Sequence, residues 1–314
     1  MKVYGKKATR FGFGEALVEI GEKNSKIFVL GADTVSSVSI NSFQKSFPER
    51  FINVGIAENN LIGIASGLAI AGFIPFVSTY GIFSTGRPWE QIRTTVCYSN
   101  LNVKIAGSHS GLMVGPDGAT HQALEEIAIM RCLPRMKVIV PCDFIEAKKT
   151  VIASAGIDGP VYIRYGREDT PIFTNEDTPF EIGKANILRD GDDVAIMACG
   201  TMVYESLMAA KILEQKGIKA KVINIHTIKP IDEKIIIDAA KECGVVVTVE
   251  EHQIYGGFGS AVSEVLVKNY PVPVEMIGIN DRFGESGNAY DLICKFGLKD
   301  LNIVDAVLKI LKRK

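Results

Sequence analysis

The sequence lacks the pieces from which stapled or metal-held proteins are built. Its six cysteines, Cys97, Cys132, Cys142, Cys199, Cys243 and Cys294, lie far apart and form no C-x-x-C pair. That argues against a zinc site or a disulfide scaffold and fits a reducing compartment, the cytosol. An excess of either charge is missing too: Lys and Arg number 35, Asp and Glu 36, for a formal net charge of -1. Nothing in that balance draws the chain to nucleic acid. The opening MKVYGKKATR has no apolar run behind its basic residues, so no secretory leader is expected. Long apolar runs are scarce. Between Phe51 and Gly86 the one charged residue is Glu58, and the apolar part, Leu61 to Val77, falls just short of a spanning helix. Gly72-Phe73-Ile74-Pro75 interrupts it as a helix end, a turn and a new strand would, so no membrane partner is expected. There is no internal repeat and no low-complexity tract.

What is present suffices for a large core. Hydrophobic residues make up 47% and charged residues 23% of 314 residues, which excludes a disordered chain and suggests two domains. Apolar strand-like runs alternate with helical patterns. The first series has strands at 26–30, 51–54, 74–79, 103–106, 137–140 and 161–164, with helices at 14–22, 57–71, 88–98, 121–130 and 144–155. A second series has strands at 193–198, 221–225, 244–249 and 274–277, with helices at 204–215, 233–241, 260–268 and 302–311. The strands are nearly continuous in Val, Ile and Phe, as in sheets covered on both faces. The fold expected is α/β, with two open, mainly parallel, doubly wound sheets. Between the series, Asp169–Gly183 is rich in Pro, Thr and acids and without sustained period. The expected domains are therefore 1–168 and 185–314, with a linker at 169–184.

Three stretches could carry chemistry. Glu58 opens a helix that is apolar nearly all round. It is either an acid favoured by the helix dipole or a buried carboxylate that must be hydrogen-bonded, paired or protonated, and so a functional candidate. The stretch GSHSGLMVGPDGATHQ, Gly107–Gln122, follows a strand directly and contains His109, Asp117 and His121. At the carboxyl end of a strand these three could gather around a polyhydroxylated ligand; their spacing fits no common zinc pattern. The plain alternative is a surface loop with turn glycines. In FVSTYGIFSTGRPWEQIR, Tyr80, Phe83 and Trp89 either fill the core or form an apolar wall for a planar ring. Two glycine-rich pieces, Gly12-Phe13-Gly14 and Gly256-Gly257-Phe258-Gly259, do not complete a dinucleotide fingerprint and read as backbone turns. His226 and His252 read as structural.

Together these pieces resemble a known family. FINVGIAENNLIGIASGLA looks like the glutamate helix of thiamine-diphosphate enzymes of the transketolase group. That group includes deoxyxylulose-phosphate synthase and the beta subunits of 2-oxoacid dehydrogenases. GSHSGLMVGPDGATHQ narrows the likeness to transketolase itself. GKKATRFGFGEAL, FVLGADTVSS and VYIRYGRED resemble its pyrimidine-binding domain, and TVEEHQIYGGFGSAV its C-terminal domain. The family's first domain holds metal and diphosphate on a G-D-G motif, and no G-D-G occurs here. The chain thus resembles the C-terminal half of a split transketolase, whose N-terminal subunit would be a separate polypeptide holding magnesium or another divalent cation. The enzyme alternatives are a 2-oxoacid dehydrogenase beta subunit, against which His109 with Asp117 and His121 argues, and the C-terminal half of a deoxyxylulose-phosphate synthase-like enzyme; a binding or regulatory module that kept the fold is the non-enzyme alternative.

The resemblance also implies roles. Thiamine diphosphate would be met by Glu58, Tyr80, Phe83 and Asp33. Glu58 would donate a hydrogen bond to the pyrimidine and so should be protonated near neutral pH, with the apolar surroundings raising its pKa. Gly86 stands where relatives often carry a third aromatic, and Trp89 is the candidate substitute. A ketose phosphate would meet His109, Asp117 and His121 through its hydroxyls, with His109 toward the phosphate, and Arg10, Ser37 and Arg167 would grip the phosphate. Glu58 and His121 would be the catalytic pair, with no metal ligand in this chain. The isolated chain should then bind the cofactor weakly and not turn over. The helix after Glu58, apolar all round, must be buried on all sides. Its small residues Gly63, Ala65, Ser66, Gly67 and Ala69 invite a second copy of the chain, giving a homodimer to which the partner subunit adds.

Overall fold

A computed structural model describes residues 2–314. Fourteen strands are present among them: β1 (Gly5–Lys7), β2 (Ile27–Gly31), β3 (Phe51–Asn53), β4 (Ile74–Tyr80), β5 (Lys104–Ser108), β6 (Lys137–Ile139), β7 (Val161–Arg164), β8 (Thr170–Ile172), β9 (Asn186–Arg189), β10 (Val194–Ala198), β11 (Ala220–Asn224), β12 (Thr227–Lys229), β13 (Val246–Gln253) and β14 (Val274–Ile279). Seven of them form one sheet in the order β12-β6-β7-β5-β4-β2-β3, parallel except for β12. Five form a second, β14-β13-β10-β11-β9, parallel except for β9. The two mainly parallel sheets are those the Val/Ile-rich runs imply. No helix among the described residues is long and apolar enough to cross a membrane.

The departures are instructive. The first helix runs Thr9–Lys23 and so contains Gly12 and Gly14. These glycines are not turns but close-approach points. A Cβ on Gly12 would lie 2.4 Å from the Phe144 carbonyl oxygen, and one on Gly14 2.1 Å from that of Ser39. The other glycine piece does turn at Gly256, where φ is 72°, but Gly259 lies inside the helix Phe258–Asn269. The helix expected from His121 starts only at Glu126, because Ala123 is bridged to Ser110 and holds the chain extended. The segment Asp169–Gly183 is not an open connection. It contains β8, which pairs with β1. Its Phe173 and Thr174 amides donate to the buried carboxylate of Asp143, which also caps the helix Phe144–Ala155. Finally, β12 leaves the second series and adds an antiparallel edge to the first sheet.

In the first sheet the chain passes from β2 to β3 on one side and then to β4 on the other. The crevice beyond the carboxyl ends at such a reversal is where open α/β sheets take ligands.

Candidate active site

The residues singled out from the sequence mostly follow the carboxyl ends of these strands: Asp33 and Ser37 after β2, Glu58 after β3, Tyr80 and Phe83 at and after β4, His109, Asp117 and His121 after β5, Arg167 after β7. Arg10 enters from the first helix. Four of them form one cluster. The Tyr80 ring stacks on His109 at 4.2 Å between centroids, and His121 sets its edge against Tyr80 at 5.9 Å and Phe83 at 5.3 Å.

His109 is buried, in a left-handed backbone conformation with φ 54°. Arg10 Nη1 lies 3.4 Å from its Nε2, and Ser108 Oγ 2.9 Å from its Nδ1. A guanidinium can only donate. Nε2 is therefore the acceptor, and the ring proton sits on Nδ1 facing Ser108. Burial first, and then the positive charges of Arg10 and Arg167, push the imidazole down to about 3, so His109 is neutral at any physiological pH.

Arg10 is half-buried and also donates to the Ser37 carbonyl oxygen at 2.9 Å. Burial and then the charge of Arg167 lower its pKa. Arg167 donates to the Val114 carbonyl at 2.6 Å and to Asp117 Oδ1 at 3.1 Å. Asp117, with Glu168 at 3.7 Å from Arg167 Nε, offsets part of the positive charge of these two guanidinia. Ser37 takes part through its backbone. Asp33 lies at the rim, exposed and in the left-handed region with φ 62°, its amide donating to Asn53 Oδ1; its side chain is not drawn into the cluster.

Glu58 departs from the expectation. Its carboxylate is only 4% exposed, yet it is not alone in an apolar environment: Arg87 Nη1 donates to both oxygens at 2.9 Å. Both Glu58 oxygens thus accept from the one guanidinium. The same guanidinium lies over the Phe83 ring, 4.2 Å from its centroid, and so ties the glutamate to the aromatic cluster. Sequence reading missed Arg87; its clue was a lone arginine ending the charge-free run. Trp89 does not complete the wall. Its indole donates to the Ile129 carbonyl at 2.9 Å, and the ring sits against the core. A Cβ on Gly86 would meet nothing within 4 Å, so the place of the third aromatic is open.

The helix Glu58–Ile70 is covered on one side only. Leu61, Ile62, Ala65 and Ser66 are buried, whereas Ile56 and Ile70 are 75% and 73% exposed and a Cβ on Gly63 or Gly67 would meet open space. This chain by itself does not bury the helix all round. Of the remaining histidines, His226 is buried against Phe180 and pushed down to about 4 by that burial, and His252 is buried between the two units. Neither joins the cluster at the strand ends.

An open, mainly parallel α/β sheet with aromatic rings, two histidines and two arginines gathered beyond its reversal point is the frame of the site. The chain belongs to the transketolase family: the transketolase pyrimidine-binding domain matches residues 5–172 and the transketolase C-terminal domain residues 183–303. It is 47% identical over 311 residues to a Methanocaldococcus jannaschii protein provisionally described as a transketolase C-terminal section, covering 98% of each chain. It is 41% identical to a 6-deoxy-6-sulfo-D-fructose transketolase subunit of Clostridium sp. strain MSTE9, covering 96% of this chain and 93% of that one. To one of the apulose-4-phosphate transketolase subunits of Phocaeicola vulgatus it is 39% identical, covering 98% of each. A solved structure of a split-gene transketolase, described as an inactive beta4 tetramer, superposes with a TM-score of 0.90 at 47% identity, covering 98% of this chain and 99% of that one.

Proposed function

We propose that this chain is the C-terminal subunit of a two-chain transketolase, moving a two-carbon ketol unit from a ketose phosphate to an aldose phosphate. The observation that carries the reading is the convergence of Arg10, Arg167, His109 and His121 on the Tyr80–Phe83 face, with Glu58 joined to it through Arg87. The donor set suits thiamine diphosphate in part. Phe83 and Tyr80 offer an aromatic face, and Glu58 a buried carboxylate for a ring nitrogen. Among the described residues no group of three or more His, Cys, Asp or Glu could hold a metal, so a divalent cation and the diphosphate are assigned to the partner subunit. When bound, the cofactor supplies the carbanion chemistry that breaks and makes the carbon–carbon bond.

The chain's own residues do the rest. Glu58 would hold the pyrimidine nitrogen. Arg87, about half exposed, can carry its own charge into water, but the buried Glu58 carboxyl can lose that partner only as the pyrimidine nitrogen takes its place. Arg10 and Arg167 hold the phosphate. His109, locked by Ser108 and Arg10, presents a ring of fixed tautomer, and His121 exchanges a proton with a sugar hydroxyl. Asp33 lines the cofactor's rim, and Asp117 orients Arg167. The subunit pairs with a second copy through the uncovered face of the helix Glu58–Ile70. The split-gene relative, inactive as an assembly of four like chains, supports both the self-assembly and the need for a partner.

The test is to combine the chain with its candidate N-terminal subunit, thiamine diphosphate and magnesium. Xylulose 5-phosphate, 6-deoxy-6-sulfofructose and apulose 4-phosphate are then supplied as donors. Turnover is expected for a donor only when both chains are present. Sustained turnover by the rigorously purified single chain, or none with any donor, overturns the reading.

A further inference from the structure

The loop that carries His109 and His121 is not held by its own domain alone. Glu251 projects from β13 of the second sheet and is 3% exposed. Its Oε1 accepts the amide of Met113 at 2.8 Å, and its Oε2 the hydroxyl of Thr201 at 3.2 Å. The carboxylate lies flat against the loop backbone: a Cβ on Gly111, where φ is 88°, would sit 2.3 Å from Oε1. Leu112, Met113 and Val114 are buried around it. Met113 lies four residues after His109 and eight before His121, so this one bond fixes the middle of the span between the histidines.

We infer that Glu251 is a positioning residue for the sugar-phosphate site: reaching across from the second domain, its carboxylate sets the loop Gly107–Gln122 and through it the rings of His109 and His121. Two lesser contacts run in the same direction. Gln122 Nε2 donates to the Glu285 carbonyl at 2.8 Å, and Ser286 Oγ donates to the Pro116 carbonyl at 2.5 Å. Among the described residues, Glu251 is the one that reaches across to grip the loop by a buried side-chain acceptor facing a backbone amide. Such a bond, in a dry interface, holds geometry more tightly than one that water can replace. Glutamine keeps an acceptor for Met113 and a donor for Thr201, which can reverse its hydroxyl. Position, not charge, is therefore the property assigned.

This inference rests on the transketolase reading for its kinetic half only. Hydrogen exchange on the full chain, without partner or substrate, is measured for wild type, Glu251→Ala, Glu251→Gln and Thr201→Val. Glu251→Ala is expected to raise exchange across residues 107–122 by at least about tenfold while β10 and β11 stay protected; Glu251→Gln stays near wild type, and Thr201→Val falls between. In the two-chain enzyme, Glu251→Ala is expected to lower kcat more than tenfold with a smaller change in KM for xylulose 5-phosphate, and Glu251→Gln to restore it. Unchanged loop exchange in Glu251→Ala, a rise spread evenly over the whole chain, or a freed loop with normal kcat overturns the inference. Absence of wild-type turnover strikes the proposed function instead, and the exchange arm still decides whether Glu251 holds the loop.

Discussion

Two glycine-bearing segments flank the same crevice and could hardly be treated more differently. In the loop after β5, glycines 111, 115 and 118 are each pressed against the second domain, at Glu251, Gly287 and Ser286. In the helix after β3, glycines 63 and 67 face open space. Glycine permits close approach in both places. The first set meets its neighbour within this chain; the second has none here. The contrast separates glycines that complete the fold from glycines that this chain leaves uncovered, a distinction the residue type alone does not make.

That contrast can be broken or sharpened by experiment. The largest effect belongs to the residue that opens the second segment. In the two-chain enzyme Glu58→Gln should cost ~10²–10⁴-fold in kcat, since an amide matches the shape but not the acid; near-normal turnover would remove Glu58 from its role. Next comes the closed segment. Gly111→Ala puts a methyl into a carboxylate and strains a positive φ, and should lower stability by about 3 kcal/mol in chemical denaturation. A neutral result would mean that the loop is not clamped.

The closed side should also feel pH. Glu146 on the first domain accepts from Asn224 of β11 at 2.7 Å, and burial pushes its carboxyl up to about 7. Glu250 follows, to about 8. Their unfolded values lie near the ordinary 4.5, so the folded chain binds more protons between the two values. Stability is then full below about pH 4.5 and lost as pH rises through 7 and 8. Thermal melts should show the melting temperature falling between about pH 4.5 and pH 8, with a shallower slope in Glu146→Gln. Smallest of all, Gly63→Leu should change the chain's own unfolding free energy by no more than ~0.5 kcal/mol yet convert a dimer into a monomer in sedimentation. An intact dimer would show that the open face is not the contact.

The mainly parallel sheets were legible because their strands are long apolar runs, and the site because strand ends, histidines and glycines cluster in the sequence. What escaped was non-local. Arg87 lies 29 residues from Glu58, and nothing in either stretch announces the pairing. The three-residue strands β1, β8 and β12 carry no period of their own; partners far along the chain define them. The glycines of the first helix looked like turns because their purpose, the approach of the Phe144 and Ser39 carbonyls, exists only in three dimensions. The apolar setting assigned to Glu58 was read from its neighbours in sequence, and the charge nearest to it in space, Arg87, comes from another element.

One small strand has a consequence for manufacture and handling of the chain. Because β12 comes from the second domain yet closes the β6 edge of the first sheet, cutting the chain near residue 184 would leave β6 with a bare row of amides and carbonyls. Such an edge recruits strands from other molecules. The truncated first domain should therefore precipitate on expression even with its core intact, and β12 doubles as the chain's own guard against that fate.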